Sequence, residues 1–512
     1  MGSLSALLCV QEISIMVKKN LAVLLTIAML LPLASCGKNE TSDTQDTANT
    51  QNNTSADTTT QTETETELTS GLPDRDLEGK DFHFYVMGIE RNANNYSVEI
   101  YSAEQTGEVI NDAVYNRNMT LADTYNFTIS ETPCGSGEDM DSTINKLAQS
   151  GDDTYQVAML NLMESATIIP KNVLYNLNEV ENLDLSQDWW DGTIAKDLSI
   201  GGKLFNAMGD INIMDNNATW AVFFNKLLME NNGFDMPYDT VRAGKWTYDA
   251  YYAMSSAVAQ DLDGNGQMDD TDLWGTVGAG ENTCFLFFSS GEHFIVKDEN
   301  DMPMIQTPTD RVYAVIEEVL RIQQDKTSTL VVERAKSTYT NVWSDLIRGN
   351  FRNDLALFYV AGLLTYTLMR DMESEYGLLP LPKLDEAQTN YWTTINHGNC
   401  STVTIPVSNQ NVADTGFVLE AMAFESMKTL TPAYFNVALQ RKYMSDEESR
   451  DMLAIILENR TIDQSVAYNW GGLFGTISGL TTTQNADFAS KFAKMEPTMQ
   501  TAMDKFIANI ES

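Results

Sequence analysis

Histidine, cysteine and basic charge are all scarce in this chain of 512 residues, and each shortage closes off a class of chemistry. There are three histidines, His83, His293 and His397. No HExxH, CxxC or GxSxG occurs, so the zinc-hydrolase and nucleophile-elbow arrangements lose their ligands and their serine. Of five cysteines, Cys9 and Cys36 lie near the N-terminus, leaving Cys134, Cys284 and Cys400. Three widely spaced thiols form at most one disulfide, so burial and not cross-linking must hold the body together. Lys and Arg number 32 against 72 Asp and Glu, a net charge of −40. Such a surface repels nucleic acid and anionic lipid headgroups. No basic cluster marks a site for an anionic ligand. The longest apolar run, Leu21 to Leu33, falls short of the roughly 20 residues a membrane-spanning helix needs.

What is there begins with a signal. Lys18 and Lys19 precede that apolar run, which ends in Leu33-Ala34-Ser35-Cys36. A basic pair, an apolar core and small residues form a secretory signal. The cysteine after them resembles the lipidation site of bacterial lipoproteins. That resemblance implies cleavage before Cys36, diacylglycerol on its sulfur and a place on the outer face of the cell membrane. Met16 is the expected start, which makes 1–35 a signal with an upstream extension. From Gly37 to Ser70 the chain is rich in Thr, Asn, Asp, Glu, Gln and Ser and has no aromatic residue. It cannot bury enough apolar surface to offset its ordering entropy. Its acids, Glu40, Asp43, Asp46, Asp57, Glu63, Glu65 and Glu67, repel one another and stretch it. Residues 36–75 therefore read as a lipidated leash and 76–512 as the folded body, long enough for two lobes.

The body alternates strand and helix. Phe82 to Met87, Asn126 to Glu131 and Tyr155 to Leu160 read as strands, separated by helices over roughly 107–124 and 142–149. This pattern predicts an α/β fold with a parallel sheet. Thr219 to Phe224, Asp354 to Tyr359, Gly377 to Pro382 and Thr402 to Pro406 read as further strands. Thr247 is an expected N-cap. Val312, Val315, Ile316, Val319 and Ile322 share one face of a predicted helix over 311–323. The last hundred residues are predicted helical. Thr431-Pro432 is expected to open one helix, Ser445 to Glu448 to form a capping box for the next, and the last to cover 485–510.

Asp261, Asp263, Asn265, Gln267, Asp269 and Asp272 have the spacing of an EF-hand calcium loop, with Gly266 at its sharp turn. Side-chain oxygens and the Gln267 carbonyl would wrap one Ca²⁺, which takes about six to eight hard ligands. Asp272 stands where Glu is usual, so closure by the twelfth position is shorter. A single loop suits a structural ion, and a solvated acidic turn is the other reading.

Several stretches, taken in order, resemble the extracellular sugar-type solute-binding proteins of ABC importers. They are Gly107 to Val114 with Arg117-Asn118, Trp189-Trp190-Asp191, Phe223 to Lys226 and Gly244 to Thr247. Asp272 to Gly275, Tyr376 to Pro382, Leu384 to Glu386 and Tyr468 to Gly471 complete the series. The resemblance spans roughly 80–475 and is to a Gram-positive lipoprotein branch. It implies two lobes joined by hinge crossings, lobe one at about 80–215 plus later returns and lobe two at about 220–350 plus C-terminal helices. A solute would be held between them, in a monomer that serves permease subunits in the membrane.

Sugars are held by aromatic faces and planar polar groups. Candidates at strand ends and crossings are Asn161, Asp215, Trp220, Tyr359, Trp392, Asn396 and Trp470, with His397 nearby as a structural residue. Trp246 and Trp343 read as core. Two competing functions stay open, a surface glycoside hydrolase and a binder of a non-sugar solute such as a peptide. Plentiful carboxylates leave the first open.

Overall fold

The computed structural model describes residues 69–511, apart from 94–95, 336–337, 440–446 and 484–486. The expected signal, Cys36, most of the leash and the Ser445 capping box lie outside the described residues. Nine strands build two sheets: β1 (Lys80–Met87), β2 (Phe127–Cys134), β3 (Val157–Leu160), β4 (Trp220–Asn225), β5 (Trp274–Gly278), β6 (Thr329–Val331), β7 (Ala356–Gly362), β8 (Tyr376–Leu379) and β9 (Thr402–Thr404). The first sheet has the order β9-β3-β1-β2 and the second β8-β4-β7-β5-β6. Both are mixed. β1 runs parallel to β2 and β3, and β5 parallel to β6 and β7. β9 is antiparallel to β3, and β4 is antiparallel to both β7 and β8. The three strands expected to be parallel, β1, β2 and β3, are so; the antiparallel β4, β8 and β9 make the sheets mixed. β4 and β9 are each the first strand the chain makes after leaving the other sheet, so each enters its sheet from the opposite end.

The helices are α1 (Val109–Tyr125), α2 (Met140–Ser150), α3 (Leu162–Ile168), α4 (Tyr248–Val258), α5 (Asn282–Ser289), α6 (Asp310–Gln323), α7 (Val412–Lys428), α8 (Leu430–Leu439), α9 (Glu447–Glu458), α10 (Leu473–Ser478) and α11 (Phe488–Glu511). β4 and β7 are apolar almost throughout because helices cover both faces of the sheet. α6 buries the predicted stripe, and Thr309 caps it by accepting from the Val312 N–H at 3.2 Å. Thr247 caps α4 as expected, at 3.3 Å from the Ala250 N–H. α8 begins at Leu430, so Thr431 is not its cap; the Thr431 hydroxyl donates to Asp210 at 2.6 Å. Trp246 is core, but Trp343 is 39 % exposed. A wide turn over Trp343–Ile347 points Leu346 and Ile347 inward and leaves the indole outside. Cys134, Cys284 and Cys400 are buried free thiols.

The C-terminal helices are shared between the sheets. α7 lies on the first sheet, with Phe417 and Met422 among Phe82, Phe84 and Val86. α11 touches both lobes. Asn509 and Ile510 accept from Asn172 and Lys203 of the first lobe, while Phe492 and Phe488 pack against Phe294 and Tyr313 of the second. Trp189 and Trp190 are pinned to α7 by Glu420, whose two carboxylate oxygens accept the two indole N–H groups at 2.9 Å each. Replacing Glu420 by Ala strands both donors in the core. The expected loss is about 2–4 kcal/mol, read as a lower urea midpoint.

Candidate functional site between the two sheets

Three chain segments join the sheets. The chain leaves the first at 213–219 and returns at 393–401, and a short strand at Arg460–Thr461 lies parallel to Thr393–Thr394. The segments are laced together: Asn396 N–H donates to the Ala218 carbonyl at 2.9 Å, Thr393 N–H to Asn459 at 3.0 Å, and Leu363 N–H to Thr219 at 2.9 Å. Buried charge reinforces them. Glu99 accepts from the Ile213 and Met214 N–H groups at 2.7 and 3.0 Å and from the Ser401 hydroxyl at 2.5 Å. Burial pushes the Glu99 carboxyl above its usual range, against the pull of these donors. Arg460 bridges Asp191 at 2.6 Å and Asp215 at 3.2 Å.

Beside the crossings, strand ends bring polar and aromatic side chains together, where ligands of α/β sheets bind. Trp220 opens β4 opposite Gly362. Its ring stacks on Phe285 at 4.1 Å, and its indole N–H donates to the Asn282 amide oxygen at 2.9 Å. Phe474 of α10 meets Phe285 edge-on at 5.7 Å and His397 at 4.6 Å. A row of rings thus runs from the second sheet to the return crossing. Burial pushes the His397 pKa down to about 4, so the ring is neutral, and its Nδ1 has no partner. On the first sheet, Asn161 follows β3 and caps α3 in a capping box with Glu164. The Asn161 side-chain N–H donates to the Gly398 carbonyl at 3.3 Å, and Asn396 accepts from the Gly398 N–H at 3.0 Å. Arg91 pairs with Glu164 at 2.6 Å. At the end of β5, Gly280 N–H donates to Glu333 at 2.8 Å. Burial, with Glu333 adding its charge, pushes the neighbouring Glu281 up to about 7.

Of the sequence candidates, Asn161, Trp220 and Asn396 come together here. Asp215 is fully buried in the ion pair with Arg460. Tyr359 does not end its strand, which runs on to Gly362, and its ring sits in the second sheet's core at 5.8 Å from Phe351. Trp392 is half-buried against Gly291, where a Cβ would meet the indole at 2.7 Å. Trp470 is 2 % exposed, packed on Tyr468 and Phe506 beneath α11. Sequence reading missed Phe474 and Glu281; Phe285, 1 % exposed, is core on which the Trp220 ring rests. Glu281 follows a predictable strand end, so position could have found it; Phe474 carries no local signal.

In the aspartate loop, the Asp261 carboxylate accepts from Gly264 and Gly266 N–H groups at 2.8 and 2.7 Å. Asp272 is fully buried and accepts from Leu262 and Asp269 N–H groups at 2.8 and 2.7 Å. Asp261, Asp263 and Asp272 bring carboxylate oxygens within 4.8 Å of one another. Gly266 has φ +82°, the left-handed turn expected of it. Asp269 is outside that trio; its carboxylate accepts from Thr271. Among the described residues no Lys or Arg pairs with the three. A hard-oxygen set left uncompensated fits a cation of the Ca²⁺ type.

No family model matches the sequence, and no curated protein does. Solved structures do match. The galacto-N-biose/lacto-N-biose I-binding protein of a Bifidobacterium longum ABC transporter, in complex with lacto-N-biose, superposes with TM-score 0.54 at 12% identity. It covers 84% of this chain and 98% of its own. An ABC substrate-binding protein of Listeria monocytogenes in complex with cycloalternan gives 0.51 at 11%, covering 85% and 99%. A cyclo/maltodextrin-binding protein complexed with maltotetraose gives 0.52 at 12%, covering 86% and 97%. The fold is therefore the two-lobed, periplasmic-binding-protein-like α/β fold, shared with these three binding proteins, each solved with the saccharide named.

Glu281 sets a pH dependence. Its folded pKa is raised, so the folded state holds a proton that the unfolded chain releases above about pH 4.3. Its contribution to stability is present below that value and declines as pH rises towards 7. Glu281→Gln should flatten the fall in melting temperature between pH 4.5 and 7, measured by calorimetry.

Proposed function

We propose that this protein is a lipid-anchored substrate-binding protein of an ABC importer, capturing a carbohydrate between its lobes and delivering it to permease subunits. The observation that carries the reading is the fold shared along nearly the whole length of sugar binders, together with the ring row that Trp220, Phe285 and Phe474 form beside the crossings. Flat rings suit the C–H faces of sugars, while Asn161 and Asn396 suit hydroxyls. Cys36 and its leash would keep each captured solute next to its membrane partner. Binding, not hydrolysis, is the activity proposed. Calorimetry against oligosaccharides of the maltodextrin, cycloalternan and lacto-N-biose kinds should give saturable heat with at least one of them. Trp220→Ala should then weaken binding by roughly tenfold, the scale of one lost ring contact. Heat with peptides alone, or turnover of a chromogenic glycoside, would sink the proposal.

The aspartate loop is proposed to hold a structural Ca²⁺ through Asp261, Asp263, Asn265, the Gln267 carbonyl and Asp272, with Asp269 as the expected ninth-position ligand. Ion binding to the folded state alone stabilises it by linkage. EDTA should lower the melting temperature, Ca²⁺ should restore it, and Asp261→Ala should abolish the response.

A further inference from the structure

The hairpin Ile295–Ile305 is inserted between α5 and α6, both of the second lobe, yet its tip reaches the first. Asp301 accepts from the Ser199 hydroxyl at 3.0 Å and from the Gly202 N–H at 2.9 Å, and its carbonyl accepts from the Gly201 N–H at 3.0 Å. Lys297 donates to the Asp301 carboxylate at 2.8 Å, to the Ser199 hydroxyl at 2.9 Å and to the Lys196 carbonyl. The residues it grips belong to the first lobe. Leu177 N–H donates to Leu204 at 2.7 Å, the Asn178 side chain to Gly202 at 2.8 Å, and Ala207 and Val403 exchange backbone bonds beside the sheet edge. The tip is built to present Asp301. Asp298 accepts from the Asn300 and Met302 N–H groups at 2.8 Å each, and Asp301 holds φ +64°, a left-handed conformation that Asp tolerates better than most residues. Burial opposes ionisation of Asp301, but Lys297 and the two first-lobe donors hold its carboxyl below the usual range.

We infer that this hairpin is a clasp that holds the two lobes in their present relation beside the third joining segment, where Asp463 accepts from the hairpin base and Gln464 donates to Ser199, and that lobe rotation must break it. A hinge bends at a few residues while packed lobes move as bodies. Hydrogen bonds that join one body to the other therefore set how much of the time the lobes stand apart. The inference rests on the two-lobed fold and needs no ligand, so it stands or falls separately from the sugar reading.

The test is an interlobe distance measured by single-molecule energy transfer on the full, ligand-free chain. Dyes are attached through azide-bearing residues at exposed positions Gln149 and Glu317. Asp301→Ala should raise the separated population on the order of tenfold, the factor matching the loss of about one net hydrogen bond. A second variant, Ser199→Cys with Asp301→Cys, should lose that population when oxidised and regain it when reduced. Cys134, Cys284 and Cys400 are buried, and Cys9 and Cys36 are replaced by Ser so that no other thiol competes. The clasp is refuted if the distance distribution is the same in wild type and Asp301→Ala, or the same in the oxidised and reduced double variant. If Asp301→Ala fails to fold, the oxidised-against-reduced comparison alone decides.

Discussion

Buried charge at the crossings is the constraint on which the rest depends. Glu99 ties a first-lobe loop to both the outgoing and the returning chain, and Arg460 ties the third segment to Asp191 and Asp215. Removing one partner of such a buried pair costs about 3–5 kcal/mol, because the other charge is left without compensation. The crossings are therefore fixed points, and any relative motion of the sheets is confined to bending about them. The ring row and the Asn161–Gly398 contact are positioned by these points and not by loop length.

The same charges bear on how the net charge of −40 is felt at the crossings. Many of the described carboxylates are exposed, and several near the crossings are paired or shifted in place. Glu164 is paired with Arg91, Asp191 and Asp215 share the single charge of Arg460 while burial pushes the Asp215 carboxyl up, and the carboxyl of Glu281 is pushed towards its protonated form by burial beside Glu333. His397 is held neutral by the same desolvation. Net field at the strand ends is thus smaller than the overall charge implies.

Elements were legible where local pattern sufficed. The stripe of α6, the cap at Thr247 and the apolar run of β4 all follow from short-range chemistry. The reversed direction of β4 and β9 was not legible, because it depends on which sheet the chain has just left. The site was half-legible for the same reason. Asn161 could be found because it ends a strand. Phe474 could not, because what distinguishes it is contact with Phe285 and His397, far away along the chain. Trp470 shows the converse: an aromatic in a Gly-rich turn is attractive by sequence, and Tyr468, Phe506 and α11 use it as core.

The ring row bears on how tightly a ligand could be held. Ring pairs of this kind contribute about 0.5–1.5 kcal/mol beyond their buried area. A sugar face that stacks on Trp220 or Phe474 must replace part of a contact already made, such as Trp220 on Phe285 at 4.1 Å. Stacking then contributes at most about one ring contact, roughly tenfold in affinity, and hydrogen bonds to groups such as His397 Nδ1 add discrimination to it.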